Sequence, residues 1–288
     1  MADQFPKGSV IRRVNIEPAI GFGAGRALLL QLAHPAVAQG VEDHSEFKKN
    51  PFKRLQGTLE AVYGVVFGSR ELADGIGRRI QWIHSFITGP GYTANEPSNL
   101  MWVHATLCDT ALLCYETLLE PLSPEDAETY YQEMKQVALL FGVPLEAQPE
   151  TLADFRAYMD DQLARIELTP VGVELCRFIL DPELPLKLHV PTRPLLRLQA
   201  QFTLGMLPER IRQQLGVTWT ADDQASLERW QARTRRLFRL TPRPLRTAGE
   251  HLYGPGLLWM ARRHVRQWEQ KVAARAEGAT PDAGRDAA

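Results

Sequence analysis

One stretch limits what this chain can fold into more than any other: Ser98 to Leu119, SNLMWVHATLCDTALLCYETLL. Apolar residues recur at Leu100, Val103, Leu107, Ala111, Cys114 and Leu118, in steps of three or four. That spacing turns one face of a helix inward. Ser98 is the expected N-cap, and Pro121 stops the pattern. His104 breaks the apolar face. It lies four residues after Leu100 and three before Leu107, so its imidazole points into the core. A buried imidazole needs a hydrogen-bond partner or a metal. On an arbitrary helix a satisfied core histidine is the commoner outcome, so the rest of the chain has to decide.

With 288 residues, 44% of them hydrophobic, the chain can bury a large core. Its formal net charge of −1 gives no basic excess for nucleic acid, although Arg233, Arg235, Arg236 and Arg239 form a local basic run. Cys108, Cys114 and Cys176 cannot all pair and show no metal-type spacing, which suits a reducing cytoplasm. No apolar run reaches the ~20 residues that a spanning helix needs. The N-terminus lacks the apolar core of a secretory signal. Peripheral contact with a membrane stays open.

Along the chain, residues 1–20 are mixed and proline-punctuated, an N-terminal arm. Gly21, Gly23 and Gly25 precede a helix over 26–40. No strand precedes them and neither GxGxxG nor GK[ST] follows, so a phosphate loop is rejected. Glycines here let a helix start pack closely on another backbone. Pro35 should kink or restart that helix after His34. A second helix is expected over 51–67, where Arg54 and Thr58 share a face beside the Leu55–Leu59–Val62–Val66 stripe. Ser69 should cap a third. TGPGYTANEP is a loop. Ser123-Pro124, Thr151 with Asp154, Thr169-Pro170 and Thr220 with Asp223 mark further helix starts, and Gly142 marks an end. DPELPLKLHVPTRP is expected to be a proline-rich crossover, with helices then starting near Pro194, Pro208, Ala221 and Pro255. No segment alternates with period two. The expectation is one all-α domain over 21–276, with about ten helices and no sheet, and a disordered tail over 277–288.

Several chemistries fail on motif grounds. HExxH is absent, and so are paired Glu-x-x-His motifs. The cysteines suit core filling. A buried Arg54 would need an anion, because guanidinium cannot shed its charge. One imidazole on an apolar helix, with an arginine able to hold a carboxylate, describes a haem-b pocket.

At this point three blocks resemble a known family: GRALLLQLAHPAVAQGVEDHS, PFKRLQGTLEAVYGVVFGS and NLMWVHATLCDTALLCYE, with HVPTRPLLRLQAQFTLGMLPERIRQQLGVTW following. They are similar to the MpaB oxygenase family, formerly a domain of unknown function, which includes the catalytic domain of latex-clearing rubber oxygenases. The resemblance implies an all-α fold with a globin-like core that binds haem b. It assigns Arg54 and Thr58 to the family's arginine and threonine, and His104 to its proximal haem ligand; His84 is the rival. In the rubber oxygenases a lysine just before that threonine can take the sixth iron position. Here Gly57 stands there. The catalytic carboxylate has no secure match, with Glu42 and Asp43 the nearby candidates.

The leading expectation is therefore a haem-dependent oxygenase acting with O2 on an apolar, unsaturated small molecule. In it His104 ligates iron, Arg54 holds a propionate or polarises the distal side, and Thr58 hydrogen-bonds nearby. His44 either works on bound oxygen or caps its turn. His34 is a hydrogen bonder at the helix break. The alternatives are a non-catalytic haem sensor or carrier, and a helical protein that has lost haem.

Overall fold

The computed structural model describes residues 2–44, 51–181 and 186–276; for residues 51–55 and 186–195 it describes the backbone alone. The expected tail over 277–288 lies outside the described residues.

Helix α1 spans Val10–Asn15, and a 3-10 turn follows over Pro18–Gly23. Both bury apolar groups, with Ile11 and Val14 fully enclosed. Helix α2, Ala24–Ala33, ends where Pro35 forces it to. A residue before proline is pushed out of the helical region, and His34 is extended at φ −79 and ψ 124. The break strands carbonyls of the last turn. The His34 amide turns back to the Gln31 carbonyl at 3.2 Å, and the Leu30 carbonyl takes the Trp102 indole N–H at 2.9 Å. Helix α3, Pro35–His44, restarts at once.

Helix α4 spans Pro51–Phe67 and α5 spans Arg70–His84, where the Ser69 hydroxyl accepts from the Leu72 amide as expected of a cap. The loop that follows closes through a two-residue antiparallel ladder, β1 (Thr88–Gly89) with β2 (Tyr92–Thr93). Gly91 at φ +79 supplies the left-handed residue that turns it. The expectation of no strand at all misses this small hairpin, because two residues are too few to show a period.

Helix α6 spans Pro97–Leu118. Its N-cap is Glu96, with Pro97 at the first helical position, so Ser98 is not the cap. Proline tolerates the first turn because the N–H it lacks would be unpaired there anyway. The inner face is also broader than the spacing indicates. Trp102, Ala105 and Thr106 are buried alongside Leu100, His104, Cys108 and Ala111, while Val103 and Leu107 are only half-buried. A helix enclosed nearly all round is a central helix. Its neighbours are α2, the 3-10 turn, α7 (Pro124–Leu140) and α12 (Ala221–Leu240).

The punctuated helices fall where their caps place them: α8 over Leu152–Arg165, α9 over Pro170–Leu180, α11 over Glu209–Gln214 and α12, with full capping boxes at Thr151 and Thr220. Two prolines mislead. Helix α10 already begins at Leu186, inside the expected crossover, and runs to Met206. Proline's fixed φ is compatible with helix, so α10 continues through Pro191 and Pro194, although each removes a hydrogen bond and crowds the carbonyl four residues before it. After the short α13, Arg243–Arg246, helix α14 runs over Ala248–Ala276 straight through Pro255. Its first turns are held from outside, since Tyr63 of α4 donates to Glu250. Helix α4 packs between α5 and α14. Fourteen α-helices lie among the described residues, and the fold is all-α.

The close-packing reading of the early glycines holds. A Cβ on Gly23 would collide with Thr110 and Cys114 of α6, and one on Gly25 would collide with Thr203 of α10. Thr203 is itself buried and cannot move aside. We expect Gly25→Ala to lower stability by about 1–2 kcal/mol, the usual scale of overpacking, despite alanine's better helix propensity. In a Thr203→Ala background the same change should cost little. A urea-unfolding double-mutant cycle checks this, and additive losses would refute the contact.

Candidate functional site

His104 is held by the most enclosed helix of the fold. It is 5% exposed, and neither ring nitrogen has a hydrogen-bond partner among the described residues. Burial drives its pKa down to about 4, so the ring is a neutral imidazole at physiological pH. Buried polar groups are nearly always paired, so an imidazole with both nitrogens unengaged is an exception that calls for a ligand.

The other three predicted residues sit on α3 and α4. Thr58 is half-buried and has an interaction partner. Arg54 belongs to α4, but its side chain lies outside the described residues, so the anion role read from sequence meets no geometry. His44 ends α3 and is tied to the hairpin. Its Nε2 lies 3.0 Å from the Thr88 carbonyl, which fixes the proton on Nε2. The Tyr92 ring meets it edge-on, and the Tyr92 hydroxyl donates to Asp43 at 2.7 Å. That bond, with a second from Gln39, keeps the Asp43 carboxyl below the usual carboxylate range. Asp43 and Glu42 are both exposed. His34 is half-buried, its ring 6.4 Å from Trp102, and its Nδ1 is unpaired among the described residues. His84 is half-buried and does have a partner. The three cysteines are free and buried, and burial keeps their thiols protonated.

A cavity of about 280 Å³ opens between α4, α5 and α14. Gln56, Gly57, Glu60, Ala61, Ile76, Arg79, Ala261, His264 and Val265 line it; His104 and Thr58 do not. The Glu60 carboxylate is buried and takes two donors: His264 Nδ1 at 2.8 Å and Gln56 Nε2 at 2.7 Å. Arg79 faces the same space, and desolvation lowers its pKa against the pull of Glu60. A Cβ on Gly57 would meet nothing within 4 Å, so this wall is open. Sequence reading misses Glu60, Arg79 and His264. A glutamate and an arginine interrupt apolar helical stripes, which is a usable signal. The pairing of Glu60 with a histidine 204 residues away is not.

A second missed group is Arg26, which is 4% exposed. It donates to the Met206 carbonyl at 2.9 Å and the Thr110 hydroxyl at 2.6 Å, and pairs with Asp109 at 2.7 Å. The buried arginine with an internal carboxylate therefore exists, but on α2.

The state of His104 sets a pH dependence of stability. Above the ordinary value of 6.5 both folded and unfolded rings are neutral. Between 6.5 and about 4 the unfolded chain takes a proton that the folded chain refuses, so stability falls as pH falls through that window. The loss reaches roughly 3 kcal/mol at its end. His104→Leu should flatten the difference in urea midpoint between about pH 7 and about pH 4.5. An unchanged slope would mean that His104 is paired in solution.

Comparison with known proteins places these features. An uncharacterized protein of Mycobacterium bovis and one of Mycobacterium tuberculosis are each 28% identical over 211 residues, covering 70% of this chain and 82% of the relative. No solved structure matches. The family model described as "ER-bound oxygenase mpaB/B'/Rubber oxygenase, catalytic domain" matches residues 11–243, which takes in α2 through α12. That span is most of the chain, and the chain belongs to this family of oxygenase catalytic domains.

Proposed function

We propose that this protein is a haem-b-dependent oxygenase acting with O2 on an apolar, unsaturated small molecule, with His104 as the proximal ligand. The single observation that carries the reading is the wholly buried imidazole with both nitrogens unengaged. A neutral imidazole is the form that binds metal. Among the described residues no three His, Cys, Asp or Glu side chains gather into a group that could hold a metal ion by themselves. A macrocycle brings four nitrogens of its own and asks the protein for one. The donor set therefore fits haem, and the family's oxygenase character gives haem a use.

When bound, haem b supplies the redox-active iron that an oxygenase needs. The chain's own residues do the rest. His104 holds the iron through one nitrogen, and its second nitrogen sets the ring's orientation and basicity through whatever acceptor it finds. The apolar shell of α6 keeps bulk water away. Arg54, carried by α4, pairs with a propionate or polarises the distal side, and Thr58 hydrogen-bonds at the same edge. His44 donates through Nε2 to Thr88, which leaves Nδ1 as an acceptor that can hold a proton. Where the rubber oxygenases carry a lysine, Gly57 opens onto the cavity, so this position would offer a bound haem no side-chain ligand.

The purified protein should show a Soret band with about one haem per chain. His104→Ala should strip the haem or leave a weakly held form that added imidazole restores. His84→Ala and His44→Ala should retain it. A wild-type Soret band in His104→Ala, with loss in either of the others, moves the assignment. If Gly57 faces the haem, Gly57→Lys should convert the spectrum to a six-coordinate, low-spin form, and an unchanged spectrum would place residue 57 out of reach of the iron. Haem without oxygen consumption on any polyene would favour a carrier or sensor.

A further inference from the structure

The C-terminal third breaks the charge balance of the chain. From Arg229 to Arg275 there are twelve arginines and lysines and two glutamates, on a chain whose total is −1. Some of these cations serve the fold. Arg246 and Arg243 meet the buried Glu17, and Arg235 donates to the Thr117 carbonyl. Arg229, Arg233 and Arg236 share one face of α12, together with Leu237 and Leu240. All five are exposed, and no carboxylate pairs with the three arginines among the described residues. On α14 the positions Leu252, Pro255, Gly256, Trp259, Arg262, Arg263 and Arg266 recur at helical spacing, all exposed.

The apolar members are far more exposed than core-forming residues should be. Leu252 is 86% exposed, Leu240 71%, Leu245 69%, Leu237 61% and Trp259 54%. Four of the five lie between Leu237 and Leu252, where the Arg246 guanidinium of α13 binds the Phe238 carbonyl of α12 at 2.8 Å and α13 packs on α14. Arg263 lies over the Trp259 ring at 5.4 Å. Scattered leucines need no explanation; a cluster rimmed by arginines does.

We infer that the exposed faces of α12, α13 and α14 form a docking surface for an anionic lipid membrane. Large apolar side chains beside arginines, with a tryptophan at the boundary, are the composition of a surface that lies in a headgroup region. Among the described residues no helix is long and apolar enough to cross a membrane, so the contact is peripheral. The strong positive charge disfavours a second copy of the same face, which would meet like charge. Exposed leucines at this density have no use against a phosphate backbone, which disfavours nucleic acid. The inner face of α14, through Ala261, His264 and Val265, lines the cavity beside Gly57. Docking by the outer face brings that cavity next to the phase in which apolar molecules dissolve. The inference does not depend on haem.

The test is co-sedimentation of the full chain with vesicles of phosphatidylcholine alone, and with vesicles containing roughly a third phosphatidylserine. Binding is expected to the anionic vesicles only, and to weaken as salt is raised. Leu240→Ser with Leu252→Ser should reduce binding about tenfold, and so should Arg236→Glu with Arg262→Glu. All four positions are exposed, so circular dichroism and thermal unfolding should stay at wild-type values and separate lost docking from lost fold. As a control away from the surface, Arg165→Glu on α8 should bind as wild type. Absence of binding to anionic vesicles overturns the proposal. So does binding at the wild-type level by both variants, a dimer dispersed by the leucine substitutions, or preferential binding of duplex DNA.

Discussion

The buried guanidinium of Arg26 joins three parts of the structure. It carries charge from α2 into the contact between α6 and the end of α10, where Asp109, the Thr110 hydroxyl and the Met206 carbonyl receive it. An arginine cannot neutralise itself, so this geometry is obligatory once the side chain is buried. Removing one partner of such a pair typically costs about 3–5 kcal/mol, because the other charge is left uncompensated. The contact is possible only because α2 starts with glycines. Gly23 lets the chain lie against Thr110 and Cys114, and Gly25 lets it lie against Thr203.

The same helix ends under a second constraint. Pro35 stops α2, and the carbonyls it strands are met by tertiary partners: the indole of Trp102 takes the Leu30 carbonyl. On α9, Gly172 allows a close approach to the Leu32 carbonyl, where any Cβ would crowd. Helix α6 is thus locked to α2 at both ends of α2, and His104 lies on the stretch of α6 between those two locks. A ring held on so fixed a backbone can keep two unengaged nitrogens, because the surrounding helices cannot shift to supply partners.

Two histidines show how differently burial can be resolved. His264 meets a buried glutamate at 2.8 Å, which orients the ring toward the cavity. His104 meets no polar partner among the described residues and stays neutral through desolvation alone. The first arrangement is complete within the protein. The second leaves two ring nitrogens unengaged, and that asymmetry is why we propose a cofactor on α6, apart from the open space on the α4–α5–α14 side. The exposed, basic outer face of α14 then gives that open space a direction, toward lipid.

By itself the sequence determined the elements whose causes are local. Helix starts at Ser69, Ser123, Thr151, Thr169 and Thr220 follow from hydroxyl caps and first-turn prolines, and the break at Pro35 follows from the sterics of one ring. The centrality of α6 and the odd placement of His104 follow from helical periodicity. The family is also legible in the ordered blocks it shares. What only the tertiary structure decided has non-local causes. The prolines at 191, 194 and 255 stop nothing, because packing of α10 and α14 against their neighbours outweighs the lost hydrogen bond and the crowding of the carbonyl four residues before each ring. Arg26 pairs with Asp109, Glu60 finds His264, and the leucines of α12 to α14 face outward. Each of these depends on which helices come to lie side by side, and a spacing of three or four along one helix carries no information about its neighbour 84 or 204 residues away.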